Sequence, residues 1–229
     1  YYFDLNSTWS AIQMNTANSA YPTAIWDDIY YSNLDDSWNI WKKSFNDTSN
    51  GSVFFWTGQL YESIIASPNW QYLYFQIWTN VFELEISTLN ISLIFTAYSG
   101  ANSWSLSISP DGLYIIHTWN GSPYYMYRHT LSTWNNQIWS WITINVWMAY
   151  WWNTNNIYYL NTDWDIYKKN ADDALAWVSV HSATFYHWLG LISDSTWDNL
   201  YLEDDLNIYK FDTNTNSYTT FSTLDATTI

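Results

Sequence analysis

Residues 103–114 read Ser-Trp-Ser-Leu-Ser-Ile-Ser-Pro-Asp-Gly-Leu-Tyr, and this stretch indicates the class of fold. Polar and apolar residues alternate along its first half, which places Trp104, Leu106 and Ile108 on one face of a β-strand. The Pro-Asp-Gly that follows is turn chemistry, because proline fixes φ and glycine adopts a positive φ. Residues 113–117 are therefore predicted to return as the second arm of a β-hairpin.

Strand patterns continue on both sides of this hairpin. Alternation of apolar and polar residues predicts strands over residues 81–87, 91–97, 139–148, 175–182 and 200–211. Residues 72–78 are aromatic or apolar on both faces, so we expect a central strand or one that is covered on its outer face. Helix-forming stretches are few, and we find no internal repeat of fixed period. The sequence thus predicts an all-β protein.

The composition is unusually aromatic and unusually poor in charge. The 229 residues include 19 Trp and 21 Tyr but six Lys plus Arg, and the formal net charge is −15. Nucleic acid and anionic lipid are disfavoured as partners, because both require clustered cations. Cysteine is absent, so no disulfide framework or thiol chemistry is available. The longest uncharged aromatic run, residues 138–152, is too short for a membrane span, and we expect none in the mature chain.

The length favours a single β-domain. We assign it to residues 1–212, of which residues 1–50 form a loop-rich N-terminal part. Residues 213–229 are rich in Thr and Ser, and we expect either an extended tail or an added strand. That segment is expected to pack on its own domain or to join a neighbouring copy of the chain.

Several of these strands, in this order and spacing, are similar to the concanavalin A-like lectin/glucanase superfamily in its laminin-G-like form. The matching runs are Phe82–Ile86, Trp104–Tyr114, Trp141–Trp147, Ile157–Leu160 and Leu200–Tyr209. The resemblance implies a two-sheet antiparallel jelly-roll sandwich over about residues 50–212. It also implies a protein that binds carbohydrate, hydrolyses it, or serves adhesion or structure.

Glu83 and Glu85 are the candidate catalytic pair of a glycosidase. Two residues apart on one strand, they share a face, at about the separation that glycoside hydrolysis requires. The hydrolases that the chain resembles carry a third acid two residues further along, where this chain has Ser87. We therefore expect the two carboxylates to lie on a solvated outer face, and we do not expect an enzyme.

Cofactor signals are weak. The pairs Asp27-Asp28 and Asp35-Asp36 could supply carboxylates to Ca²⁺, which is the one cofactor we consider. The four histidines lack the spacing of a zinc site, and no Gly-x-Ser-x-Gly turn is present.

Aromatic residues near predicted strand ends and loops are candidates for contact with sugars or other subunits, since rings stack on sugars and anchor interfaces. They are Trp119, Tyr124, Tyr125, Tyr150, Trp151, Trp152 and Trp197. Asn-x-Ser/Thr acceptor sites for N-glycans occur at Asn6, Asn46, Asn50, Asn90 and Asn120. Asn46, Asn50 and Asn120 lie in polar stretches and are the preferred ones.

These observations predict a secreted or cell-surface glycoprotein. The leading hypothesis is a structural or adhesive subunit of a surface assembly or filament, in which copies of the chain are joined through aromatic surfaces. A monomeric carbohydrate-binding domain that binds polysaccharide is the first alternative, and a glycoside hydrolase is the second.

Overall fold

The fold is built from short antiparallel strands, each paired with its neighbours along the chain. A computed structural model describes residues 19–33, 39–45, 51–56, 61–96, 103–119, 124–132, 136–142, 146–153, 156–161, 166–170, 178–181, 190–193, 199–203 and 207–223. Within these ranges it contains twenty strands in five four-stranded sheets, which we number 1 to 5.

Each sheet is a meander of four consecutive strands. Sheet 1 contains β1 (Ser19–Ile25), β2 (Asp28–Asn33), β3 (Asn39–Ser44) and β4 (Ser52–Phe55). Sheet 2 contains β5 (Tyr61–Ala66), β6 (Tyr72–Ile77), β7 (Asn80–Glu85) and β8 (Ile91–Thr96). Sheet 3 contains β9 (Ser103–Ile108), β10 (Tyr114–Trp119), β11 (Tyr124–Thr130) and β12 (Asn136–Ile142). Sheet 4 contains β13 (Val146–Asn153), β14 (Asn156–Asn161), β15 (Ile166–Asn170) and β16 (Val178–His181). Sheet 5 contains β17 (Gly190–Ser193), β18 (Asn199–Glu203), β19 (Asn207–Asp212) and β20 (Ser217–Thr223).

The sheets follow one another at a regular interval, and their first strands contact each other in sequence. The first strands begin at residues 19, 61, 103, 146 and 190, so the repeat is 42 to 44 residues long. β1 contacts β5, β5 contacts β9, β9 contacts β13 and β13 contacts β17. Small four-stranded sheets that follow one another in this way are the blades of a β-propeller.

This architecture corrects the expected jelly-roll sandwich. A jelly roll pairs strands that are distant in sequence across two large sheets, whereas here every pairing joins consecutive strands. The concanavalin A-like resemblance was therefore wrong, because alternation identifies strands and their faces but not their partners. The expected absence of an internal repeat was also wrong. The arrangement of strands repeats from sheet to sheet, but the sequences of the repeats share few residues.

For the segment over residues 213–229 we expected either an extended tail or an added strand, and its described part contains a strand. Residues 217–223 form β20, which pairs with β19 of the same chain from Asn207↔Thr223 to Asp212↔Ser217. The β9–β10 hairpin has the predicted form, with Ile115 opposite Ile108.

The core consists of layers between successive sheets. One cluster joins sheets 1 and 2 and contains Ile40, Phe75 and Leu84 among its buried members. A second cluster joins sheets 2 and 3 and contains Tyr74 and Val81. Sheet 2 is thus covered on both faces, which explains why residues 72–78 are apolar on both faces: burial removes both from water.

Candidate functional site

Two matching turns connect the first and second strands of sheets 2 and 3. Residues 67–72 read Ser-Pro-Asn-Trp-Gln-Tyr and residues 109–114 read Ser-Pro-Asp-Gly-Leu-Tyr. The backbone N–H of the serine donates to the tyrosine carbonyl at 2.9 Å in both turns, Ser67 to Tyr72 and Ser109 to Tyr114. Each serine Oγ also accepts the tyrosine N–H, again at 2.9 Å. The turns are therefore equivalent positions of two repeats.

The third and fourth residues of the two turns also have matching roles. The serine hydroxyl donates to the third side chain, to Asn69 Oδ1 at 2.7 Å and to Asp111 Oδ1 at 2.5 Å. The fourth residue has a positive φ in both cases, 61° at Trp70 and 71° at Gly112. Glycine adopts this conformation without strain, whereas tryptophan does so at a cost. Trp70 is therefore retained against its local preference.

An open cleft of about 570 Å³ lies between these turns. That volume is in the range of small-ligand sites. Its lining consists of both turns, two tyrosines and part of the β11–β12 turn: Ser67, Pro68, Asn69, Tyr72, Tyr74, Ile108, Pro110, Asp111, Gly112, Leu113, Leu131 and Ser132.

The lining combines ring faces and aliphatic groups with a few polar atoms. Among the described residues of the lining, Asp111 is the acidic one, and its Oδ1 already accepts the Leu113 N–H at 3.0 Å. Tyr74 donates its hydroxyl to Glu83 at 3.0 Å. Burial, reinforced by the Glu83 carboxylate, raises the pKa of Tyr74 well above its ordinary value, so the phenol stays neutral. The cleft thus suits a neutral ligand with an apolar face.

Exposed apolar side chains lie on the side of the molecule where the cleft opens. We call this side the upper face; it carries the turns that join first to second and third to fourth strands in sheets 1–3. Trp26 is 78% exposed there, Trp70 47%, Leu89 43% and Leu113 50%. The Ala66 N–H donates to Thr23 Oγ1 at 3.2 Å, which brings the upper ends of sheets 1 and 2 together.

Two of the described tryptophans are exposed on the opposite side, the lower face. Trp56 follows β4 and is 65% exposed, and Trp78 begins the β6–β7 turn and is 64% exposed. Trp26 and Trp78 each occupy the first position of a two-residue hairpin turn, with φ of 59° and 55°. Asn or Gly is the usual residue at such positions. Both tryptophans are therefore exposed and have a backbone conformation that is unfavourable for a residue with a Cβ.

The proposed glycosidase pair is occupied by hydrogen bonds within sheet 2. Glu83 accepts the Tyr74 hydroxyl, and Glu85 accepts the hydroxyls of Ser87 at 3.1 Å and Thr88 at 2.6 Å. Both carboxylates lie on one strand as predicted, but each has a structural partner. This geometry supplies no carboxyl pair on opposite sides of a bound sugar.

Of the four aspartates that were proposed to bind calcium, the structure describes Asp27 and Asp28. The Asp28 carboxylate forms an ion pair with Lys42 Nζ at 2.7 Å. The Asp27 carbonyl accepts the Phe45 N–H at 2.8 Å. Asp35 and Asp36 lie outside the described residues. Among the residues that are described, no group of three His, Cys, Asp or Glu could hold a metal ion.

Most of the predicted aromatic contact residues lie on strands. Trp119 ends β10 and is opposite Tyr125 of β11, which begins at Tyr124. Tyr150, Trp151 and Trp152 lie within β13. Trp197 falls outside the described residues.

The acceptor sites also differ in position. Asn90 lies exposed between β7 and β8, whereas Asn6, Asn46, Asn50 and Asn120 lie outside the described residues.

A buried histidine pair lies between sheets 2 and 3. His129 Nε2 and His117 Nδ1 are 2.7 Å apart, and both residues are 2% exposed. Phe95 of β8 stacks on His129 with ring centroids 3.5 Å apart, and Tyr127 stacks on His117 at 4.9 Å. Burial, and then the neighbouring His129, lowers the pKa of His117 well below its ordinary value. His117 is therefore neutral in the native protein.

Sequence reasoning predicted the turn at residues 110–112 but missed the matching turn that begins at Ser67 and the cleft between the two. The available signal was the pair of Ser-Pro-Asn/Asp…Tyr segments, which begin at Ser67 and Ser109 and are separated by the length of one repeat. Blades of about 40–45 residues are typical of propeller repeats. The similarity of the two segments is easily overlooked, because the first has Trp70 at the position where the second has Gly112.

Comparison with known proteins supports the fold and nothing finer. No protein-family model matches the chain, and no curated protein matches it. A chain of a nidogen/laminin complex superposes with a TM-score of 0.71 and 10% identity, over 93% of this chain and 81% of that one. An oligogalacturonate lyase in complex with manganese gives a TM-score of 0.66 and 11% identity, over 87% and 63%.

A third similar structure is the β-propeller domain of Swd1 from Myceliophteria thermophila. Its TM-score is 0.56 at 11% identity, over 72% of this chain and 56% of that one. The chain thus spans less than two thirds of the lyase and Swd1 structures. These neighbours, with the sheet topology, establish a β-propeller and overturn the concanavalin A-like assignment.

Proposed function

We propose that the chain is an extracellular adhesive or structural subunit that binds its partner through the upper face of sheets 1–3. The observation that supports this most directly is the set of exposed apolar residues on the upper face, Trp26, Trp70, Leu89 and Leu113. Tryptophan is enriched at the energetic centres of interfaces, and exposed apolar patches mark interaction sites. Two of the four are tryptophans in left-handed conformations, which local stability does not favour.

Binding is a better explanation of this geometry than catalysis. Propellers serve both purposes, so the fold does not decide between them. The Glu83 and Glu85 carboxylates are engaged by neighbouring hydroxyls. The cleft lining includes one acid, Asp111, whose Oδ1 holds its own turn.

The partner we favour is another copy of the chain. With a formal net charge of −15, copies repel each other through most of their surface. An apolar face is the surface through which such copies can associate at least electrostatic cost. Light scattering and electron microscopy of the intact chain test this directly.

A matched pair of double variants makes the test specific. Trp26→Ser with Trp70→Ser alters the upper face, and Trp56→Ser with Trp78→Ser alters the lower face. We expect the first pair to dissociate the assembly and the second to leave it intact. A wild-type chain that is monodisperse at all concentrations would contradict the proposal.

A neutral saccharide in the cleft is the second candidate. The partly exposed Tyr72 lines the cleft, and Asn69 lies beside it. Rings that are flanked by amides suit sugar recognition. A glycan array with wild type and Tyr72→Leu distinguishes the candidates, because binding by a monomer that is lost in the variant favours the saccharide.

A further inference from the structure

The outer strand of sheet 2 exposes an apolar surface at an edge. β8 pairs with β7, and no further strand partner is present among the described residues. Ile91 is 45% exposed and Leu93 is 54% exposed. An apolar edge strand is a template for unwanted pairing, and proteins commonly cover or charge such edges.

An N-glycan acceptor motif begins at this edge. Residues 90–92 read Asn-Ile-Ser, and both Asn90 and Ser92 are exposed. The backbone of Asn90 is held in place, because its carbonyl accepts the Glu85 N–H at 2.9 Å and its N–H donates to Thr88 Oγ1 at 3.2 Å. The acceptor is thus displayed on an ordered turn, immediately before the apolar strand.

We propose that Asn90 carries an N-linked glycan that covers the exposed apolar residues of β8. The inference rests on the extracellular location in the proposed function, since N-glycans are added in secretory compartments. A glycan is bulky and solubilising, which is what the edge lacks. Asn90 is the acceptor site that falls within the described residues, and the preference for Asn46, Asn50 and Asn120 stays a prediction.

The modification is a group transfer without oxidation or reduction. The Asn90 side-chain nitrogen attacks the anomeric carbon of an oligosaccharide that is activated as a lipid-linked diphosphate. A nitrogen–carbon bond forms, the carbon–oxygen bond to the diphosphate breaks, and one amide proton leaves. The lipid diphosphate is the leaving group, and the host glycosylation machinery supplies the donor.

Site occupancy is measured by peptide mass spectrometry after secretion of the intact chain from a glycosylating eukaryotic host. We expect the glycan mass on the Asn90 peptide of wild type, its loss in Asn90→Gln and Ser92→Ala, and its retention in Ser92→Thr. An unmodified Asn90 in folded, secreted wild type overturns the proposal. Because occupancy is independent of partner binding, this result is separate from the fate of the proposed function.

The covering role has its own measurement. The covering role is tested in a parent protein that carries Trp26→Ser and Trp70→Ser. Binding of an apolar dye and light scattering are measured for the glycosylated parent, for the parent with Asn90→Gln, and for the parent with both Asn90→Gln and Leu93→Lys. We expect dye fluorescence and association to rise in the first variant and to return toward the parent when the edge is charged. Equal dye binding and equal association with and without the glycan overturn the covering role.

Discussion

Acid should destabilise this protein through His117, and a non-titrating replacement should remove that effect. His117 is buried against His129, Phe95 and Tyr127, and its pKa is lowered in the native state. In the unfolded chain an ordinary histidine has a pKa of about 6.5. Below that pH the unfolded state binds a proton that the native state does not, so the stability present above it is lost as the pH falls.

The magnitude follows from this one proton. The free energy of unfolding changes by about 1.4 kcal/mol per pH unit where the two states differ by a full proton. Integrated from about pH 7.5 to about pH 5, a His117 that stays neutral in the native state costs about 2 kcal/mol. Carboxylates titrate mainly below this window, so their contribution to the change is small.

Urea unfolding at the two pH values, followed by tryptophan fluorescence, measures the effect. His117→Gln keeps a hydrogen-bonding group towards His129 without a titrating proton, and we expect it to lose less stability on acidification than wild type by about 2 kcal/mol. Tyr127→Phe preserves the stacked ring and is expected to retain the wild-type pH dependence. Equal acid sensitivity in wild type and His117→Gln would refute the assignment to His117.

Three further predictions concern the turns and the core. In chemical denaturation, Gly51→Ala should destabilise the protein more than Gly112→Ala does. Both glycines have a positive φ, so the backbone cost of alanine applies to both. A Cβ at Gly51 would lie 2.5 Å from the Lys42 carbonyl oxygen, whereas the atom nearest to a Cβ at Gly112 is 3.8 Å away. Trp26→Asn should raise the free energy of unfolding by about 1 kcal/mol, because Asn tolerates the left-handed conformation. The same variant should weaken partner binding, because the indole ring is lost. An unchanged melting temperature would contradict the inference that Trp26 is strained. Leu84→Ala should lower the free energy of unfolding by about 2–5 kcal/mol in the same denaturation assay, since the side chain is fully buried between sheets 1 and 2. A decrease below about 1 kcal/mol would argue against a packed layer between these two sheets.

Alternation along the chain was sufficient to predict many strands and one complete hairpin. The pattern around Leu106 and Ile115 depends on two neighbouring strands and a turn, and such local pairing is encoded locally. The jelly-roll prediction failed at the next level, because a strand with two apolar faces fits either a sandwich or a stack of small sheets. For residues 72–77, the neighbouring sheets on both sides give the explanation.

The candidate site was less predictable than the fold. Glu83 and Glu85 share a strand as expected, but the hydroxyls that engage them come from Tyr74 on the neighbouring strand and from the turn beyond. The cleft depends on Ser67 and Ser109, which one repeat length separates and which only the packing of two sheets brings to one opening.

Composition and period-two alternation can be read from the sequence alone, and they identify an acidic, aromatic, cysteine-free chain of short β-strands. The sequence also placed an acceptor motif at Asn90. The tertiary structure was needed to show that consecutive strands form separate four-stranded sheets and on which side the exposed tryptophans lie. It was also needed to show that Asn90 precedes a strand with exposed apolar residues and, among the described residues, one strand partner. The physical reason is that burial depends on the packing of one sheet against the next, and no single strand carries the identity of its neighbour.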